Sequence, residues 1–441
     1  MINLESKKSR YIFFLANIAI CLIFMGVFLP QSQSPMDGLK AMFSYHNLVD
    51  TDAFYVGGFS GAYLNVALCL GFALLMFALT KTEIGSLEMA GLYLVFGYSF
   101  YGKTLVGVVP LMLGAYLYQV KKGRPLREKS AMACFAAALS PIVTVLMNGT
   151  GALGPGSPLA IVTGLVVGLV SGYLVSWVSG WMGDTLQGRS ILLGAACAGV
   201  TAVFVAGVLR SFGLGHEANV DPAYMDQMYK WPITLSMAAF YGFALLAGIL
   251  GGGSFKKAIR NQTSKTCSGD VCQEESFAAS LINVGIVGFV LLAYFAILPH
   301  TEMHGEMFAG IVTAAAFAPR AMTLRGALPF WIGFIGFNFL SAGSQGALAG
   351  EGFVESGLLK IASRATLMGT FVGANIAPLM RQVGLKRGIA MGCVYAIVVA
   401  KTAGLHDQTL LYNSGFAIAL TVILFHSVSE NWQKKIDREV L

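Results

Sequence analysis

Charge is scarce in this sequence. Asp, Glu, Lys and Arg together make up 12% of the 441 residues, about half the share of a soluble chain. Acidic residues are almost absent from the apolar stretches, which leaves little from which to build a proton relay. No G-x-S-x-G or H-E-x-x-H stretch supports a membrane hydrolase, and an ATP-driven pump is not expected. The seven cysteines form no framework. Five lie inside apolar runs, where cysteine acts as a small hydrophobe. Cys267 and Cys272 share one loop at a spacing that fits no standard zinc pattern. A polar loop is the default there, with a regulatory disulfide or a metal as the alternative. The formal charge is +7, but the basic residues sit in short loops and lack the aromatic interleaving of a nucleic-acid surface. No nucleic-acid partner, cofactor or metal is expected.

What the chain has is apolar length. Hydrophobic residues make up 56% of it, and the mean hydropathy is +0.69. Runs such as 11–30 and 158–182 reach the roughly 20 residues a helix needs to cross the hydrocarbon layer. The first is too long for a signal peptide and is followed by no small-residue cleavage site, so it is expected to stay as a span. The 53 glycines suit helices that approach closely or break.

The sequence repeats itself at a shift of 218 to 219 residues. Asn65-Val66 falls on Asn283-Val284, Thr104-Leu105 on Thr323-Leu324, and Gly107, Pro110 and Gly114 fall on Gly326, Pro329 and Gly333. Residues 1–222 and 223–441 are therefore read as two copies of one unit. Each copy holds five spans: 11–30, 56–80, 129–148, 158–182 and 190–210, then 233–251, 277–298, 365–380, 388–402 and 411–428. Between the second and third spans of each lie two short pieces, 87–101 with 104–119 and 306–318 with 323–338. About 15 residues make only about 22 Å of helix, too short to cross. Re-entrant half-helix pairs fit better, with hairpins at 87–119 and 306–338. The expected fold is an all-α integral membrane protein of about ten transmembrane helices, two re-entrant pairs and two inverted-topology repeats. Lys and Arg support that count. Twenty fall on the side of the N-terminus, six on the other and three in the hairpins, the bias of a cytoplasmic face. A bacterial inner-membrane location with both termini cytoplasmic follows.

The Gly102-Lys103 step, the Pro110-Leu111-Met112-Leu113-Gly114-Ala115-Tyr116-Leu117 stretch and the later Leu411-Tyr412-Asn413-Ser414-Gly415-Phe416-Ala417 carry a resemblance. Through them the chain resembles an uncharacterised bacterial polytopic membrane family, a domain of unknown function, over most of its length. That family implies no activity. In the second copy Pro319-Arg320 stands where the Gly-Lys step would be. The layout is also similar to the urea-transporter architecture, by analogy alone.

Inverted repeats place a solute site near the midplane, where half-helix ends meet. The candidates for the pathway are Lys103, Thr104, Arg320, Thr323, Arg325, Asn65 and Asn283. Lys103 could attract an anion, aided by the helix that starts at Thr104, or could instead snorkel to the surface. Arg320 and Arg325 are read as its counterparts from the outer side. Asn65 and Asn283 could line the path or tie down the hairpins, and Thr104 and Thr323 suit N-caps. Phe100, Tyr101 and Phe330 could form constrictions or simply pack. Glu88 and Glu306 open the first half-helices, where a carboxylate suits the dipole, with a gate or proton role as the alternative. His300, Glu302, His304 and Glu306 alternate in one loop, but no second cluster completes a metal site.

The reading is a membrane channel or facilitator for a small polar or anionic solute. The alternatives are an ion-coupled secondary transporter and a membrane enzyme acting on a lipid-linked substrate. The expected partners are a small-molecule or ion solute and the lipid bilayer, with self-association into a homo-oligomer left open.

Overall fold

The computed structural model describes residues 4–28, 34–45, 49, 51–151, 153–185, 190–216, 230–264, 269–320 and 322–425. The boundary expected at residues 222 and 223 lies outside them. All regular structure among the described residues is helical. The first half carries α1 (Lys7–Phe28), α2 (Pro35–Ser44), α3 (Ala53–Leu79), α4 (Ser86–Tyr98), α5 (Leu105–Lys121), α6 (Ser130–Ala136), α7 (Ser140–Met147), α8 (Pro158–Thr185) and α9 (Ser190–Ser211). The second carries α10 (Lys230–Leu250), α11 (Phe255–Thr263), α12 (Val271–Glu274), α13 (Phe277–Ile297), α14 (Gly305–Ala316), α15 (Leu324–Leu348), α16 (Phe353–Ala362), α17 (Arg364–Gly373), α18 (Ala377–Val383), α19 (Leu385–Thr402) and α20 (Asn413–Phe425).

The local chemistry of the two halves matches helix by helix. Asp52 caps α3 by accepting from the Phe54 N–H, and Asp270, 218 residues on, caps α12 by accepting from Cys272 and Gln273. Thr104 and Thr323 cap α5 and α15 through the N–H groups of Gly107 and Gly326. Pro110 and Pro329 sit inside those helices. Short 3-10 turns at Ala137–Leu139 and Ala374–Ile376 each precede a helix with proline in its first turn, Pro141 and Pro378. The crossings match as well. A Cβ on Gly114 would lie 1.9 Å from the Leu169 carbonyl oxygen of α8, and one on Gly333 would lie 1.9 Å from that of Ile389 in α19. Only glycine lets these backbones come so close.

The hairpins open at opposite ends of α3. The Thr82 and Ser130 hydroxyls, just before α4 and just after α5, are 2.6 Å apart. The first hairpin therefore leaves and returns on one side, at the C-terminal end of α3. The mouth of the second lies at the N-terminal end of α3, where the Gly305 N–H donates to Asp52 Oδ1 (3.1 Å). At 13 and 12 residues, α4 and α14 are about 20 Å long, too short to cross the hydrocarbon core.

Nine helices among the described residues are long and apolar enough to cross, in keeping with the expected number of about ten, but the set differs from the expected one. The piece at 323–338 is part of α15, 25 residues long. Its extra turns pack on α16, where Gly343 meets Phe353 and Gly346 meets Ser356. The span at 365–380 is split into α17 and α18 by a 3-10 turn before Pro378, as 129–148 is split into α6 and α7 before Pro141, and of the two only the stretch Leu126–Met147 is among the nine. Of the span at 411–428, residues 426–428 lie outside the described residues.

Candidate solute site between the two hairpins

The first half-helices of the two copies pack against each other at the centre. Gly97 of α4 meets Val312 and Ala309 of α14, and the Phe100 and Phe308 rings stack at 4.1 Å. The contact is sealed by apolar and aromatic side chains, so the polar groups beside it stand out.

The tip of the first hairpin runs from Tyr98 to Thr104. Gly102 turns it with φ +81°. Asn65 on α3 donates to the carbonyls of Ser99 (2.9 Å) and Lys103 (2.8 Å), holding the break between α4 and α5 in place. Lys103 is fully buried. Its Nζ donates to the Leu94 carbonyl (3.1 Å) and the Tyr412 hydroxyl (2.5 Å) and lies 5.4 and 4.8 Å from the Tyr98 and Tyr412 ring centres. Among the described residues no carboxylate pairs with it. An ammonium has three donors, and these contacts use two of them on neutral groups.

Leu94, Tyr98 and Tyr412, the groups around Lys103, also line a cavity of about 30 Å³, together with Thr313, Phe317 and Asn375. Thr313 and Phe317 are the repeat counterparts of Leu94 and Tyr98, so both halves face this space. The buried Asn375 Oδ1 has no hydrogen-bond partner. A larger vestibule of about 290 Å³ lies beside it at the mouth of the second hairpin. Its wall includes Tyr101, the Glu306–Arg364 ion pair (3.3 Å) and His406, whose Nε2 is 3.1 Å from Asn413 Oδ1. Leu411, Asn413 and Ser414 line the vestibule, while Tyr412 and Gly415 line the inner cavity. The stretch after residue 410 is thus the partition between the two.

The other candidates fall elsewhere. In the second copy Asn283 works through a relay: its Oδ1 accepts from Gln262 Nε2 (2.7 Å), and Gln262 Oε1 accepts from the Leu324 N–H (3.1 Å). Arg325 is exposed and donates to the Thr263 carbonyl (2.9 Å) at the end of α11. That is the side of Leu4 and Glu5, which touch Gly251 and Phe277, whereas the expectation placed it on the side away from the N-terminus. Arg320 is half-buried and close enough to Glu88 for its charge to be felt there. Glu88 itself folds back to accept from the Gly85 N–H (3.2 Å), half of a capping box, since Gly85 has no side chain to complete it. Phe100 and Phe330 are packed among aromatic rings, Phe330 on Phe334 and Tyr395, rather than on either cavity wall. Among the described residues no three His, Cys, Asp or Glu side chains gather as a metal site. Cys267 lies outside those residues.

Sequence reasoning missed Tyr412, Tyr98, Asn375, Arg364 and His406. A signal for Tyr412 existed, since it stands in one of the three segments that carry the family resemblance and meets Lys103, which stands in another. Reasoning also missed that Gly97–Thr104 spell the G-x-x-x-x-G-K-T spacing of a phosphate-binding loop. The context of such a loop, a strand leading into a helix, is absent. Gly97 is helical, and the N–H groups of residues 99, 100, 101, 103 and 104 are already bonded within the protein. No phosphate cradle forms.

Neither a curated protein nor a solved structure matches the chain, so the likeness to the urea-transporter layout remains one of element order. A family model described as protein of unknown function (DUF1576) matches residues 31–211 and 254–431, most of the chain in two segments of near-equal length, and the chain belongs to that family.

Proposed function

We propose that the protein carries a small polar or anionic solute across the membrane, between its two halves, and that Lys103 is the solute's principal ligand. One observation carries the reading. A lysine ammonium is enclosed at the tip of the first hairpin, and its neutral partners Leu94, Tyr98 and Tyr412 line a cavity faced by both repeats. A buried cation without a counter-ion is costly, and a passing anion would supply one. The vestibule supports the same reading, since Glu306 and Arg364 would admit a solute to the Leu411–Tyr412 partition. In this reading the chain is not an enzyme and holds no cofactor. The bilayer is a bacterial inner membrane, and the basic face is cytoplasmic.

The enclosure of Lys103 favours a carrier, which must occlude its solute, over an open channel. An ion-coupled carrier is therefore the second reading. Proteoliposome flux tests both. The protein is expected to move small monovalent anions and carboxylates faster than urea-like neutral solutes, and an imposed proton or sodium gradient would drive accumulation only in a coupled carrier. If no solute of either class moves, while a lipid-linked substrate is turned over, the proposal falls.

A further inference from the structure

Helix α11 has an unusual distribution of side chains. Its inner face is polar: Asn261 donates to Glu275 Oε1 (2.8 Å), and Gln262 bonds Asn283 and Leu324. Apart from the buried Ala258, its apolar residues point outward instead, with Phe255 and Ile259, one turn apart, 44% and 42% exposed. Lys256, Lys257 and Arg260 follow on the next sector of the helix and are exposed too. Lys257 is partly engaged, with its Nζ 3.3 Å from Glu275 Oε2. The order around the helix is protein contact, apolar stripe, cationic stripe. That is the arrangement of a helix lying in the membrane interface, with its apolar stripe toward acyl chains and its cations at headgroup level.

The quasi-equivalent helix α2 sharpens the point. Ser34 and Ser254 cap the two helices in the same way, but α2 carries only Asp37 and Lys40, 3.8 Å apart, where α11 carries three cations. The two helices belong to opposite sides of the molecule. Only the one beside the basic N-terminal segment has a surplus of positive charge.

We infer that α11 is a binding site for anionic phospholipid headgroups, and that occupancy is transmitted to the second hairpin. The connection is short. Gln262 and Thr263, the last two residues of α11, hold the Leu324 N–H and the Arg325 side chain (3.1 and 2.9 Å), both in the first turn of α15. Anchoring α11 therefore fixes the point where α15 begins, on the opposite side of the molecule from the vestibule. The inference does not rest on the transport reading, because neither readout below involves flux.

The test uses the purified full-length protein in detergent with phosphatidylglycerol, phosphatidylcholine or free glycerol phosphate. Retained lipid is read by native mass spectrometry, and amide exchange is followed over residues 322–326. Wild type is expected to retain phosphatidylglycerol in preference to phosphatidylcholine, with no competition from glycerol phosphate. Each basic residue near an anionic surface strengthens attraction about fivefold, and Lys257 is shared with Glu275. The K256Q/K257Q/R260Q variant should therefore bind at least about 30-fold more weakly. Phosphatidylglycerol should slow exchange at Leu324 and Gly326 in wild type. Gln262→Leu should keep the lipid and lose that protection. Equal retention by wild type and the triple variant overturns the site, and so does displacement by glycerol phosphate. Retention without any change in exchange in wild type overturns the coupling.

Discussion

Replacing Lys103 by Met is the most informative single change, because its two effects should run in opposite directions. Methionine keeps the length and flexibility of the side chain and removes the ammonium. The buried charge has neutral partners only, two hydrogen bonds and two ring faces. Exchanging a buried ionic group for an apolar one of similar volume is often neutral or stabilising, by about 1–4 kcal/mol. The melting temperature in detergent should therefore hold or rise. A bound anion, in contrast, loses a charge-assisted hydrogen bond worth about 1.5–3 kcal/mol, or roughly 10- to 150-fold in affinity. Flux of anions at low concentration should fall by that factor while urea-like solutes are unaffected. Tyr412→Phe provides the control. It removes one acceptor from Lys103 but leaves the charge, so anion binding should persist. The argument is refuted if Lys103→Met lowers the melting temperature sharply while anion flux per folded molecule stays the same. Lys103 would then be a structural strut.

Asn65→Leu strips two buried carbonyls of their donor and should destabilise the protein by about 1–4 kcal/mol, at about 0.6–2 kcal/mol per membrane hydrogen bond. Asn283→Leu should cost less in the same denaturation assay, since Gln262 would still hold Leu324. Gly114→Ala would put a methyl 1.9 Å from the Leu169 carbonyl, where about 3.3 Å is needed. It should destabilise by about 1–3 kcal/mol through overpacking. Gly207→Ala, with nothing within 4 Å, should be neutral or stabilising by up to about 1 kcal/mol; similar losses at both glycines would contradict the crossing geometry. Arg364→Gln removes the partner of Glu306 and should lower the rate of anion capture at low salt, with little change once salt is raised.

Much of this arrangement was legible from the chain, for identifiable reasons. Span lengths follow from apolar runs, and the breaks follow from their chemistry: a Gly-Lys step, two threonines placed to cap, two prolines at one shift. For Asn65, tying down the hairpin was one of two readings, because a buried amide must find partners. Two kinds of feature were not legible. The first is contact across the halves: Lys103 and Tyr412 are 309 residues apart, and nothing local points from one to the other. The second is irregularity that looks like a loop. The stretch Ser341–Gly350 reads as polar and glycine-rich, but its glycines let α15 lie against α16 and continue to Leu348. The 3-10 turns before Pro141 and Pro378 were hidden inside apolar runs. One of them offers the Ala138 carbonyl to the Leu411 N–H (3.1 Å), next to the residue that meets Lys103.

The halves are not two modules placed side by side. Asp52, in the first, accepts from the Gly305 N–H that opens α14 in the second, and Asp270, in the second, accepts from the Ser86 hydroxyl that opens α4 in the first (2.5 Å). The two acids are one repeat apart, and so are their targets. Each half thus supplies the carboxylate that meets the start of the other's hairpin, the reciprocity of a two-fold contact in which residue i meets j and j meets i. A carboxylate at a helix start is favourable through the dipole, and α4 and α14 then bury their remaining faces on each other. An isolated half would expose that apolar face and lose the aspartate that the other half brings to the start of its half-helix. The duplicated unit therefore folds as a pair, and the cavity beside Lys103 exists only in the pair, because Thr313, Asn375 and Tyr412 come from one half and Leu94, Tyr98 and Phe135 from the other.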